Sequence, residues 1–226
     1  MGKRLVIIGG VAAGATAAAR ARRLDPSADI TVIESGPYVS FANCGLPYHV
    51  SGDIERRGSL LLQTPEGLKA RYGVTALVKT RATALDRQAQ TVTVSGPSGE
   101  ATLAYDALIL AQGASPVLPP IEGIEADHVF RLWTIPDMDG VQAFLAERSP
   151  KTALVIGGGF IGLEAAEAFA ARGLATTVVE AYAHPMPPAD PEFGELIRRA
   201  LVAGGVTMLT GRTVSAIGAG TATLDD

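Results

Sequence analysis

Leu5-Val6-Ile7-Ile8-Gly9-Gly10-Val11-Ala12-Ala13-Gly14 opens the chain, and Ala153-Leu154-Val155-Ile156-Gly157-Gly158-Gly159-Phe160-Ile161-Gly162 repeats the design in its second half. Each stretch is a run of apolar residues that ends in a glycine turn and leads into a segment of helical composition. Each is followed by a second apolar run closing on an acid: Ile30-Thr31-Val32-Ile33-Glu34 and Thr176-Thr177-Val178-Val179-Glu180. Strand, glycine turn, helix, strand, acid is the dinucleotide-binding βαβ pattern. The glycines let the backbone approach a pyrophosphate, whose charge rests on the helix N-terminus. The acid accepts hydrogen bonds from ribose hydroxyls. The second copy is a full G-x-G-x-x-G (Gly157, Gly159, Gly162), whereas Val11 replaces the middle glycine of the first. Glu180 is followed by Ala181 and Tyr182 rather than Arg, which favours NADH over NADPH because a 2′-phosphate would be repelled. One copy alone is weak evidence. Two with correct flanks predict an α/β protein with two Rossmann-like domains, against the alternative of two structural βαβ units that hold no cofactor.

Between the copies the pattern changes. Val74 to Leu103 alternates β-like runs (Thr75–Val78 and Thr91–Val94) with a turn at Gly96-Pro97-Ser98-Gly99, and reads as an antiparallel meander inserted in the first domain. Asp106 to Ala111 is a continuous apolar strand, and the Pro-rich stretch Pro116 to Pro120 reads as a connection. Helices are expected within Trp133–Pro150 and over Glu192–Ala203, a loop at Pro185–Pro191, and β structure at Thr221–Leu224. The expected organisation is a first nucleotide-binding domain over 1–118, a connection over 119–150, and a second nucleotide-binding domain over 151–226.

The 226 residues are 47% hydrophobic, enough for a proper core, with only 5% aromatic. A net charge of −4 argues against nucleic acid or an anionic membrane as the main partner. Lys3-Arg4 and the apolar run after it imitate a secretory leader, but three glycines inside that run and Glu34 at cofactor spacing favour the buried strand. Val6 stands where a myristoylation signal wants Ser or Thr. Every apolar stretch is broken by Gly, Pro or charge before it could span a bilayer. One cysteine fits a reducing, cytoplasmic compartment. His49, His128 and His184 have no partner spacing, so no metal site is expected, and His184 is read as an exposed loop residue.

That cysteine, Cys44, lies in Ser40-Phe41-Ala42-Asn43-Cys44-Gly45-Leu46-Pro47-Tyr48. A lone thiol forms no internal disulfide, so its oxidised form is a sulfenic acid or a mixed disulfide with an outside thiol. Free cysteines are often small buried hydrophobes. Here Gly45-Leu46-Pro47 suggests a turn into a helix, whose N-terminus would favour a thiolate by ~0.3–1 kcal/mol. Arg20, Arg22 and Arg23 end the first helix. Cations complement a helix C-terminus, but Thr16, Arg20 and Arg23 also share one stripe at i, i+4 and i+7.

Taken together, the two nucleotide motifs, the cysteine between them, Ala42-Asn43-Cys44-Gly45-Leu46-Pro47-Tyr48, Thr64-Pro65-Glu66 and Tyr105–Ala114 resemble the single-cysteine flavin disulfide reductases. These are enzymes of the glutathione-reductase fold that include coenzyme A-disulfide reductase, NAD(P)H polysulfide reductase, NADH oxidase and NADH peroxidase. The resemblance runs nearly the whole length and is strongest to the coenzyme A-disulfide and polysulfide branch. Ala12 stands where the peroxidase has His.

The resemblance implies FAD at the first fingerprint, with Gly9, Gly10, Ala13, Gly14, Glu34, Cys44, Ala111, Gly113 and Arg131 as contacts, and Gln112 in place of the usual Thr. It implies NADH at the second, with Gly157, Gly159, Ile161, Gly162, Glu164 and Glu180. Cys44 would be catalytic, and Thr16, Arg20, Arg23, Ser40 and Asn43 would bind coenzyme A, whose phosphates suit Arg forks. Lys69 and Arg71 flank Tyr72, which takes the place of a Lys contact. The implied reaction carries electrons from NADH through FAD to a Cys44 mixed disulfide with coenzyme A or a persulfide. The alternatives are an NADH oxidase and a non-catalytic nucleotide-binding fragment. The family also has a returning FAD segment and a C-terminal dimerisation domain, both absent from this sequence. The chain is therefore read as an N-terminal portion, incomplete in its second nucleotide domain, of an enzyme expected to be a homodimer.

Overall fold

The computed structural model describes residues 2–225. In chain order it runs β1 (Arg4–Ile8), α1 (Ala12–Leu24), β2 (Asp29–Ile33), α2 (Leu46–Ser51), α3 (Pro65–Tyr72) and β3 (Thr75–Leu77). There follow β4 (Arg81–Asp86), β5 (Thr91–Gly96), β6 (Gly99–Ala104), β7 (Ala107–Leu110) and α4 (Ile135–Arg148). The last elements are β8 (Thr152–Ile156), α5 (Phe160–Ala171), β9 (Ala175–Glu180), α6 (Pro191–Ala203), β10 (Thr207–Thr210), β11 (Thr213–Ile217) and β12 (Ala222–Asp225). The chain divides into two compact units: Met1–Ala42 with Gly58–Ser115, and Asn43–Arg57 with Pro116–Asp226.

The first unit is built on a parallel sheet of order β3-β2-β1-β7. β1 sits in its middle, with Val6 opposite Thr31 on one side and Leu108 on the other. Both faces of β1 are covered, which is why it is apolar without alternation. Ile7 packs with Ala18 of α1 and with Ile30, Val32, Leu68 and Val74. Val6 packs on the opposite side with Val92, Val94 and Tyr105. Buried Gly14, Ala15 and Ala18 carry little or no side chain on the inner face of α1 and let the helix approach the sheet closely. At the start of the sheet, Arg4 donates to both oxygens of Asp106 (2.7 and 3.2 Å). That pair holds the Asp106 carboxyl at about 2, well below its ordinary 3.8, chiefly through hydrogen bonds from Arg4.

The meander is present as the antiparallel sheet β4-β5-β6, with the turn before Gly99 as expected. Its membership differs from the sequence reading. Thr75–Leu77 is not a meander strand: it pairs parallel with β2 (Val32 opposite Ala76), and Arg81–Asp86 is the meander's first strand instead. The physical reason is α3, which crosses back before β3 and so leaves that run alongside β2 in the same direction.

In the second unit a parallel sheet of order β10-β9-β8 carries α5 and α6, and β11-β12 forms an antiparallel pair. Val155, Ala166, Val178, Leu201 and Val206 make its core. The helix expected within Trp133–Pro150 is α4: Thr134 caps it with a full capping box, its hydroxyl accepting the Asp137 amide while the Asp137 carboxylate accepts the Thr134 amide. α2, numbered within the first half, belongs to this unit and packs on α5 and α4. On the surface of α6, Glu195 binds Arg198 and Arg199, and these hydrogen bonds hold its carboxyl at about 2. Among the described residues no helix is long and apolar enough to cross a membrane.

Candidate functional site

Two glycine turns lead into α1 and α5. Gly9 has φ +99° and donates its amide to the Ile33 carbonyl; Gly157 has φ +103° and donates to that of Val179, each at 2.8 Å. Any Cβ on Gly14 or Gly162 would overlap the carbonyl oxygen of Gly9 or Gly157, so only glycine permits this crossing of turn and helix. The acids close both devices. Glu34 Oε2 accepts the Gly10 amide (2.8 Å) and Oε1 the Gly36 amide (2.7 Å). Glu180 Oε2 accepts the Gly158 amide (2.6 Å) and Oε1 the Tyr182 amide (2.8 Å). The carboxylates are 9% and 5% exposed, so these charge-assisted bonds stand in for lost water.

The duplication reaches further than the sequence reading. Ser40 (φ +48°) donates its amide to the Gly10 carbonyl at 2.9 Å, and Met186 (φ +54°) does the same to Gly158 at 2.8 Å. Lys79 (φ +51°) then donates to the Gly36 carbonyl, and Gly211 (φ +66°) to that of Tyr182. Each loop after an acid therefore folds back on its own glycine turn. Gly10, Gly36, Gly158 and Tyr182 act through backbone amides, which no side-chain motif announces.

Of the other expected first-site residues, Ala13 lies exposed in the first turn of α1, and Ala111 donates its amide to Ile8 while its carbonyl lies directly against Gly9. Gly113 (φ +68°) faces open space. Arg131 is exposed and belongs to the second unit. At the second turn, Gly159 also faces open space, Ile161 is exposed, and Glu164 is half-buried in α5.

Thr16, Arg20 and Arg23 are exposed on one face of α1. Arg22 is different: it donates to the carbonyls of Tyr72 (2.8 Å), Pro26 (2.6 Å) and Gly73 (3.4 Å), fastening α1 to the end of α3. Lys69 donates to Thr75, and Arg71 lies over the Tyr72 ring at 5.3 Å. Ser40 falls in the first unit, with Thr16, Arg20 and Arg23; Asn43 falls with Cys44 in the second.

Cys44 is exposed, in a 3-10 turn over Asn43–Gly45 that leads directly into α2. The reading as a small buried hydrophobe is thereby excluded, and the expected turn into a helix is present. That helix has only six residues, however, and its dipole is correspondingly short. His184 corrects another expectation: it is half-buried, its ring packed against Gly194, with Nδ1 donating to the Pro185 carbonyl. Among the described residues no His, Cys, Asp and Glu cluster is arranged to hold a metal.

Residues 3–225 match the family model for pyridine nucleotide-disulphide oxidoreductases. The chain belongs to that family. Pyridine nucleotide-disulphide oxidoreductases use FAD and NAD(P)H. The chain is 36% identical to the coenzyme A disulfide reductase of Staphylococcus haemolyticus, covering 78% of this chain and 40% of that protein. It is 32% identical to the NADH oxidase of Methanocaldococcus jannaschii, covering 95% and 48%. The NAD-dependent persulfide reductase structure from A. fulgidus superposes with a TM-score of 0.94 at 38% identity, over 98% of this chain and 42% of that one. The chain thus spans less than half the length of these members of the pyridine nucleotide-disulphide oxidoreductase family.

Proposed function

We propose that this protein reduces coenzyme A disulfide or polysulfide through Cys44, with FAD held in the first unit and NADH in the second. The carrying observation is an exposed lone thiol in a chain with two glycine turns, each closed by a buried acid. Open space at Gly159 and Gly113 fits a ligand pressed on the backbone there. Gly9, Gly10, Ala13, Gly14, Glu34, Ala111, Gly113 and Arg131 would hold FAD; Gly157, Gly159, Ile161, Gly162, Glu164 and Glu180 would hold NADH. The two-domain arrangement of the glutathione-reductase type and assembly as a homodimer go with this reading.

The Cys44 thiolate attacks one sulfur of the incoming disulfide. A bond forms between Cys44 and that sulfur, and the other sulfur leaves as a thiolate. Regenerating Cys44 requires one electron pair and one proton, which the bound nucleotides supply. Thr16, Arg20, Arg23, Ser40 and Asn43 would orient the phosphate-bearing thiol, Arg forks matching phosphate geometry.

The test is mass spectrometry of the intact protein after incubation with coenzyme A disulfide, alongside NADH-dependent thiol release in the presence of FAD. A coenzyme A adduct on Cys44, lost in Cys44→Ser, supports the reading. Oxygen uptake without thiol release overturns it in favour of the oxidase reading, which the Methanocaldococcus relative favours. No adduct and no FAD binding overturns it in favour of a non-catalytic nucleotide-binding protein.

A further inference from the structure

α2 has six residues, well short of the ~12–15 at which even a good helix becomes marginal alone in water. Its last carbonyls have no partner within the helix and need donors from elsewhere. The Tyr48 carbonyl accepts the Ser51 hydroxyl (3.0 Å) and the Ile54 amide (2.9 Å) from its own segment. The next two depend on distant side chains. Gln142 of α4 donates Nε2 to the His49 carbonyl at 2.8 Å, and Arg172, which ends α5, donates Nη1 to the Val50 carbonyl at 3.2 Å. Further along the segment, Arg57 binds Asp139 of α4 by two parallel bonds, Nε to Oδ1 at 2.6 Å and Nη2 to Oδ2 at 2.7 Å. Leu46, Pro47 and Val50 are buried behind these contacts, while Cys44 stays exposed in the turn that precedes them.

We propose that Gln142, Arg172 and the Arg57–Asp139 pair are positioning residues that clamp the Asn43–Arg57 segment and thereby fix the orientation of Cys44. Calling them positioning residues rests on the reading of Cys44 as the reacting thiol; the clamp itself does not. Gln142 and Asp139 stand one helical turn apart on α4, so two points of one helix hold the segment at its middle, at His49, and at its far end, at Arg57. The His49 and Val50 carbonyls, which Gln142 and Arg172 hold, lie in the last turn of α2, where carbonyls have no intrahelical partner. Loss of either donor frays α2 from its C-terminus toward the thiol.

Because Cys44 is the sole cysteine, a methanethiosulfonate nitroxide reports on that position in the otherwise unaltered chain. Its electron paramagnetic resonance spectrum should show restricted motion in the parent. In Gln142→Ala and Arg172→Ala the rotational correlation time should fall at least twofold. Arg172→Lys, which keeps a donor, should recover at least half of that change. Glu195→Gln, which weakens an ion-pair cluster on α6, should leave the spectrum unchanged. Superimposable spectra in the parent, Gln142→Ala and Arg172→Ala, with circular dichroism retained, overturn the proposal. So does equal mobilisation by Glu195→Gln. If Arg172→Ala does not fold, Gln142→Ala and Asp139→Asn decide alone. A restrained label on a protein that forms no coenzyme A adduct at Cys44 removes the proposed function and leaves the clamp standing; an adduct with a label indifferent to all the variants does the reverse.

Discussion

Gly14 and Gly162 face the same carbonyl in the two units, but Gly9 and Gly157 do not share surroundings. A Cβ on Gly9 would run into the Ala111 backbone, carried there by β7, whereas one on Gly157 would meet nothing. The middle position differs too: Val11 is the N-cap of α1, and Gly159 is the N-cap of α5 with open space where its side chain would be. Constraints common to both units therefore belong to the βαβ crossing itself. Those confined to one unit belong either to its own walls or to what it binds.

The largest effect that would break this comparison comes from the shared glycines. Gly14→Ala and Gly162→Ala each force a methyl into a carbonyl, and overpacking of this kind costs ~1–3 kcal/mol, occasionally more. Urea unfolding should show both variants destabilised by about 3 kcal/mol or more. A mild effect at either site would mean that the turn can relax. Next come the acids. Glu34→Ala or Glu180→Ala leaves a buried glycine amide without its acceptor, at ~1–3 kcal/mol. The matching test is whether the two losses agree within about 1 kcal/mol, since the bonding is the same in both units.

Gly159→Ala sharpens the contrast. With open space at that Cβ, the fold should hold while NADH affinity, followed by fluorescence titration, falls at least tenfold. Unchanged affinity would show that the fingerprint there serves the fold alone. Val11→Gly in the other unit should cost only ~0.5–1 kcal/mol in chain entropy.

The smallest effect is in acid. Asp106 in the first unit and Glu195 in the second are both held at about 2 by arginine partners. A carboxylate with a depressed folded-state value adds stability that is complete above its unfolded value and is lost as pH falls through the folded one. Melting followed from about pH 5 to pH 2 should therefore decline less steeply in Asp106→Asn and Glu195→Gln than in the parent. Equal slopes would remove these pairs from the account of acid stability.

Much of this was legible from residue order. The glycine spacings, the terminal acids and the apolar strands are local signatures, because backbone sterics and strand periodicity act over a few residues. The meander's turn at Gly96–Gly99 was legible for the same reason. The partner of Thr75–Leu77 was not, since a three-residue β-prone run reads alike in a parallel sheet and a hairpin. Helical spacing set Arg22 apart from the Thr16–Arg20–Arg23 stripe, but not that its guanidinium is taken up by carbonyls far along the chain.

The sequence by itself determined that two βαβ devices exist, where each turns, which acid closes it, and that one thiol stands between them. Only the tertiary structure decided that Ser40 and Met186 return to their glycine carbonyls, and that the Cys44 segment is seated on α4 and α5. The reason is physical. A turn is dictated by the sterics of adjacent residues, but a backbone amide or carbonyl is identical in every residue, and its partner is set only when the chain has folded around it.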